Sequence, residues 1–176
     1  MAAVSLSRRA TAGIVFIVAG ALLAIALILP LVGVSGVPWL VAIAYAAITV
    51  AFVILGVGAV NSTLAKITLI AAAVGWALLT ISALGVSLPS PLGLIAALLA
   101  GIGGLIAAIV LYVGREIRNL PAILFIVTTA LGLLYLLGAF GVFSLGSTLA
   151  LLIALAFAAG LIVTGVLFRQ PERRGR

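Results

Sequence analysis

The chain has no cysteine, no histidine and only two acidic residues, Glu116 and Glu172, against nine Lys and Arg. Without thiols or imidazoles there are no disulfides, no thiolate or imidazole chemistry, and none of the usual zinc or haem ligands. No cofactor is expected. The redox compartment is unreadable for the same reason.

Charge is also missing over long stretches. No acidic or basic side chain lies between Arg9 and Lys66, from Ile67 to Gly114, or from Asn119 to Phe168. The 176 residues are instead 67% hydrophobic and 6% charged, with a mean hydropathy of +1.60. Soluble domains are roughly half apolar, so this is an integral membrane protein. Its net charge of +7 would raise the question of nucleic acid in a soluble protein. Here the basic residues sit in short clusters between apolar blocks, and they read as topology signals and contacts to anionic lipid headgroups, with no nucleic-acid partner.

A bilayer core of about 30 Å takes roughly 20 helical residues, so each charge-free block is too long for one crossing and reads as a helical hairpin. Turn residues sit in the middle of each block: Pro30, Gly33, Ser35, Gly36 and Pro38; then Gly85, Ser87, Pro89, Ser90 and Pro91; then Gly138, Gly141, Ser144, Gly146 and Ser147. The expectation is one transmembrane domain over 1–176, all-α, with six helices near 10–29, 38–60, 64–84, 91–113, 120–137 and 146–168. Every charged interruption then lies on one side. Arg8, Arg9, Lys66, Arg115, Arg118 and Arg169, with Arg173, Arg174 and Arg176, make that side cytoplasmic and place both termini inside. The expected location is the bacterial inner membrane, and the alanine, valine and arginine usage fits a high-GC genome.

The N-terminal segment through Arg9 also resembles a secretory signal, with Ala24-Ile25-Ala26 as a small-x-small site. The apolar run is longer than a usual signal core, and the first reading keeps it as a helix. Ser7-Arg8-Arg9 matches a twin-arginine signal only in part, because Ala10 and Thr11 follow it. Trp39 and Tyr112 fit interfacial aromatic belts. Asn61-Ser62-Thr63 matches a glycosylation acceptor but reads as a polar turn capping the third helix, and Asn119-Leu120-Pro121 as the start of the fifth. Arg115 and Glu116 could pair at the surface, for little gain.

Small residues recur on the fourth helix: Ala96, Ala100, Gly104 and Ala108 at a spacing of four, with Ala97 and Gly101 on the next ridge. Such positions share a helix face, and in lipid they let a second backbone approach closely. They read as a packing spine, although any alanine-rich membrane helix shows similar spacing. The segments around Gly33, Gly85 and Gly141 resemble one another, at steps of 52 and 56 residues. They point to a threefold repeat of hairpins about a pseudo-threefold axis, with the alanine-rich second helices innermost.

No Asp, Glu, Arg or His falls within the six spans and Lys66 stands only in the first turn of the third, so proton relays, intramembrane proteolysis and voltage sensing have no carrier at depth. Nor does any residue set supply acid, base and nucleophile together, and an enzyme is not expected. Gly101-Ile102-Gly103-Gly104 lies mid-helix without a strand or basic residue and is no phosphate loop. The polar residues at depth are Thr49, Thr68, Thr80, Ser82, Thr128, Thr129, Thr164, Tyr45, Tyr135 and Trp76. Thr128, Thr129 and Tyr135 are the candidates for a polar lining. The competing reading has these hydroxyls bonding to the preceding turn of their own helix or bridging to a neighbour.

In length, span count and glycine-punctuated hairpins, stretches such as Gly13–Pro30 and Ile123–Gly141 resemble the HdeD-type family of small bacterial membrane proteins. That resemblance implies a six-helix inner-membrane protein without known catalysis, linked to stress tolerance. The expected function is a non-catalytic accessory or scaffold subunit, packed against membrane lipids and another membrane protein or a second copy of itself. The alternative is a channel or substrate-binding transporter component for a small neutral or lipophilic solute.

Overall fold

A computed structural model describes residues 2–34, 37–117, 120–142 and 146–170. Each apolar block forms two antiparallel helices: α1 (Ala2–Ile28) and α2 (Pro38–Gly58), α3 (Thr63–Ala83) and α4 (Ser90–Val113), α5 (Leu120–Ala139) and α6 (Ser147–Arg169). All six are long and apolar enough to cross a membrane, and no strand occurs among the described residues. The ends of α2 to α6 lie within two residues of the expected spans. α1 departs from expectation by starting at Ala2 rather than Ala10, because nothing before Arg9 breaks a helix and the chain stays helical through its first charges. Arg118, Asn119, Ser35, Gly36, Ser144, Glu172, Arg173, Arg174 and Arg176 lie outside the described residues.

The three hairpin turns share one local structure. Gly33, Gly85 and Gly141 all take positive φ, at 83°, 93° and 68°. Each donates its N–H three residues back, to Pro30, Ser82 and Gly138, while the following Val34, Val86 and Val142 reach five residues back, to Leu29, Ile81 and Leu137. This paired closure is the glycine-terminated helix end known as a Schellman motif, in which a left-handed residue satisfies carbonyls the helix leaves open. In α1 it follows a 3-10 turn over Leu29–Val32.

At the opposite end, where the basic residues gather, the connections are capped by side chains. The Ala65 N–H donates to Ser62 Oγ at 3.4 Å, as the polar turn Asn61-Ser62-Thr63 implies. The Asn61 and Ser62 N–H groups donate to the two carboxylate oxygens of Glu116, at 2.6 and 2.7 Å. Glu116 therefore holds the start of α3 from the α4–α5 loop, and the surface pair expected with Arg115 is not formed among the described residues. A carboxylate suits that place, since free N–H groups and the positive end of the helix dipole meet there.

Each helix packs against its two neighbours in chain order, and α6 closes on α1. The bundle is thus a single ring, and no helix is innermost, contrary to the expected inner set of alanine-rich helices. Each helix presents one inward face, as in α1, where Ala12, Phe16, Ala19, Leu23 and Ala26 are buried at alternating steps of four and three. Branched aliphatics such as Ile14, Val50, Ile102, Val127 and Val163 face outward. Trp39 and Tyr112 are exposed near helix ends, where an interfacial belt would have them.

Candidate functional site

The expected spine on α4 is buried, and each part of it meets a different neighbour. Ala96 and Ala100 lie against Gly75 of α3, and Gly103 against Thr68 and Ala72 of α3. Gly101 lies against Leu133 of α5, and Gly104 against Phe52 and Thr129. Ala97 and Ala108 are fully buried. These small residues serve contacts within the chain. The other close crossing, between α1 and α6, went unread in the sequence. There Gly13 meets Gly165, and Gly20 meets Ala158. The signal for it was the repeat of Ala12-Gly13 as Ala19-Gly20, seven residues on.

Inside the ring, eight of the chain's twelve aromatic residues form two clusters along the axis. Near the basic end are Phe16, Phe52, Phe125 and Phe168, with ring centroids 5.4 to 6.2 Å apart. The Arg9 guanidinium lies 5.3 Å from the Phe168 ring centroid. Arg9 was expected among the topology charges that contact anionic lipid headgroups; only 6% of it is exposed. The reason is geometric: in a helix that already runs through Arg8 and Arg9, consecutive side chains point about 100° apart. Arg8 therefore lies outside, against Gly58, while Arg9 turns inward. Lys66, Arg115 and Arg169 stay at the same end of the bundle, as their place at the ends of α3, α4 and α6 requires.

The second cluster lies toward the far end. Trp76 stacks on Phe157 at 5.8 Å and 9°, and Phe157 on Tyr135 at 5.9 Å and 22°. Tyr45 tilts against Trp76 at 5.1 Å. Tyr45 of α2 and Tyr135 of α5, on opposite sides of the ring, share a hydrogen bond of 2.7 Å between their hydroxyls. Aromatic pairs in these offset and edge-on geometries each add about 0.5–1.5 kcal/mol beyond their buried area.

Between the clusters is a void of about 10 Å³, lined by Phe16, Phe52, Trp76, Phe125, Phe157, Thr128, Thr129 and small residues. Thr129 donates to the Phe125 and Ile126 carbonyls of its own helix, and Thr128 shares a 3.0 Å hydrogen bond with Thr164 of α6. A water needs two to four polar partners, and this lining offers too few. Thr49, Thr68 and Thr80 also donate to carbonyls one turn back, so the hydroxyls behave as the competing reading had them.

Tyr135 is not part of that void. It borders a separate, partly open pocket of about 240 Å³ at the far end, formed by Gly138 and Ala139 of α5, Ala150, Leu151, Ile153 and Ala154 of α6, and Leu27 of α1. Tyr135 is its one polar side chain. The three residues expected to form one polar lining are thus divided between a central void and this mouth. No cluster of His, Cys, Asp or Glu able to hold a metal ion occurs among the described residues. Comparison of the chain with protein-family models, with characterised proteins and with solved structures finds no match.

Proposed function

We propose that this chain is a non-catalytic multi-pass protein of the bacterial inner membrane. In this reading the far mouth of its ring holds a small neutral or lipophilic molecule, as the binding part of a channel or transporter. The observation that carries this is the 240 Å³ pocket itself, apolar apart from Tyr135 and bordered by no charged residue. Pockets of this kind, apolar with a single polar handle, suit neutral ligands. Clustering of Arg8, Arg9, Lys66, Arg115 and Arg169 at the other end supports a cytoplasmic location for that end and for both termini. The chain has no cysteine of its own, so Ser87→Cys and Arg115→Cys can be labelled in intact cells with an impermeant maleimide. Labelling at Ser87 alone is expected, and the reverse pattern would invert the topology.

The accessory or scaffold reading rests on a different surface. The small residues of α4 are used within the chain, but Ile95, Ile102, Ile106 and Ile109 form an exposed ridge on the same helix, on which a partner helix or a second copy could pack by dispersion alone. The common turn at Gly33, Gly85 and Gly141 supports a threefold hairpin repeat, and the six-helix hairpin pattern keeps the likeness to the HdeD-type family as a proposal. Native mass spectrometry of gently extracted protein separates the two functions. A monomer retaining one defined small molecule supports the binding reading, whereas a stoichiometric second protein or a homo-oligomer supports the scaffold.

A further inference from the structure

We infer that the far-mouth pocket selects a planar, neutral ring bearing a carbonyl oxygen, of the quinone or aryl-ketone class. This deepens the binding reading above and rests on it. Three observations combine. The first is hydrogen-bond stoichiometry: Tyr45 and Tyr135 carry two O–H groups and share one hydrogen bond. No further bond to either hydroxyl is made among the described residues. Either hydroxyl can be the donor; where Tyr45 donates, the O–H left unspent is that of Tyr135, which borders the apolar pocket, and a buried donor without an acceptor is costly. A ligand that brings only an acceptor satisfies it, and a carbonyl is the neutral group that does so without adding a donor of its own.

The second observation is shape. Trp76, Phe157 and Tyr135 form a near-parallel series of rings, at 9° and 22°, and Tyr135, its last member, borders the pocket. A flat ring extends such a series, whereas a saturated chain does not gain the stacking. The third is size and charge. About 240 Å³ accommodates a bicyclic ring, and the lining has no cation or anion to hold a charged ligand. Small residues, Gly138, Ala139, Ala150 and Ala154, leave the space open.

The test uses the full chain in lipid nanodiscs with two probes of matched shape, 2-methyl-1,4-naphthoquinone and 2-methylnaphthalene. Binding is read as a saturable shift in thermal unfolding. Saturable stabilisation by the quinone is expected, at least tenfold tighter than by the hydrocarbon. A Tyr45→Phe/Tyr135→Phe double variant, which removes both O–H groups of the pair, should lose that preference. Ala150→Leu, which fills the pocket and spares the hydroxyl pair, should abolish binding even if the double variant folds poorly. Equal affinity for both probes, unchanged in the double variant, would overturn the carbonyl inference and leave the lipophile pocket standing. A phospholipid retained by the wild type and expelled by Ala150→Leu would overturn the ring class in the same way. Absence of saturable binding by either probe, with no molecule retained on extraction, would overturn both.

Discussion

Gly13 of α1 and Gly165 of α6 lie so close that a Cβ built on Gly13 would stand 2.5 Å from the Gly165 carbonyl oxygen, and one on Gly165 would meet the Gly13 carbonyl in turn. The closure of the ring depends on this mutual contact, since α6 and α1 are joined by no loop and only their packing brings the chain's two ends together. Gly13→Leu and Gly165→Leu should each lower the free energy of unfolding in mixed micelles by about 1–3 kcal/mol, the usual cost of forcing side-chain volume into a packed contact. The double variant should cost less than the sum, because both changes open the same crossing.

Along α3 and α4 the glycines should rank. A Cβ on Gly75 would meet the Ala96 carbonyl at 2.6 Å and the Ala100 backbone, which cannot rotate away. Gly75→Ala is therefore expected to destabilise by about 1–3 kcal/mol. On Gly103 the nearest atoms are at 3.1 Å, and the helix preference for Ala over Gly, about 1 kcal/mol, opposes the small displacement needed. Gly103→Ala should change the melting temperature little in the same micelles, and a loss equal to that of Gly75→Ala would contradict the packing described.

Glu116 should act as a tether between two loops more than 50 residues apart in sequence. Glu116→Ala removes both acceptors from the Asn61 and Ser62 amides and is expected to cost roughly 1 kcal/mol, the size of a lost helix cap. Hydrogen exchange at those two amides should accelerate more than at the centre of α3. Equal protection with and without the carboxylate would show that the tether is not formed.

Gly85 tests the turn geometry apart from packing. Its φ is 93° and nothing lies within 4 Å of a Cβ built there, so Gly85→Ala introduces backbone strain alone, about 1–2 kcal/mol. Gly146 is equally open but takes φ −57°. Gly146 is also the cap residue of α6, where Ala is poorer than Gly, and this offsets the gain from restricting the unfolded chain; Gly146→Ala should be near neutral. Thermal melts of the two variants side by side should show the larger loss for Gly85→Ala.

Thr128→Val removes the bond between α5 and α6. A double-mutant cycle with Thr164→Val should return a coupling of about 0.6 kcal/mol, typical of hydrogen bonds between membrane helices.

The features legible in the sequence were the local ones. Runs without charge define six helices, because an unpaired charge is costly in lipid and every apolar block of this length must cross and return. Turn glycines before Val34, Val86 and Val142, the Ser62 cap, and threonines bonded to their own preceding turn all follow from residues within five positions of each other. So does the burial of the α4 spine, since a stripe of small residues is useful only against another backbone.

What the tertiary structure alone decided is which residues meet across the ring. Tyr45 and Tyr135 are 90 positions apart, and Glu116 lies 55 from Asn61. No periodicity links residues on different helices, because the rotation of each helix about its axis is set jointly by both its neighbours. Arg9 shows the same limit. The sequence placed it among the charges at a helix end, but only the continuation of α1 through Ala2–Ile28 and its crossing with α6 turn it inward over Phe168. The far-mouth pocket likewise depends on α1, α5 and α6 standing together, and it exists only because the ring closes between the first helix and the last.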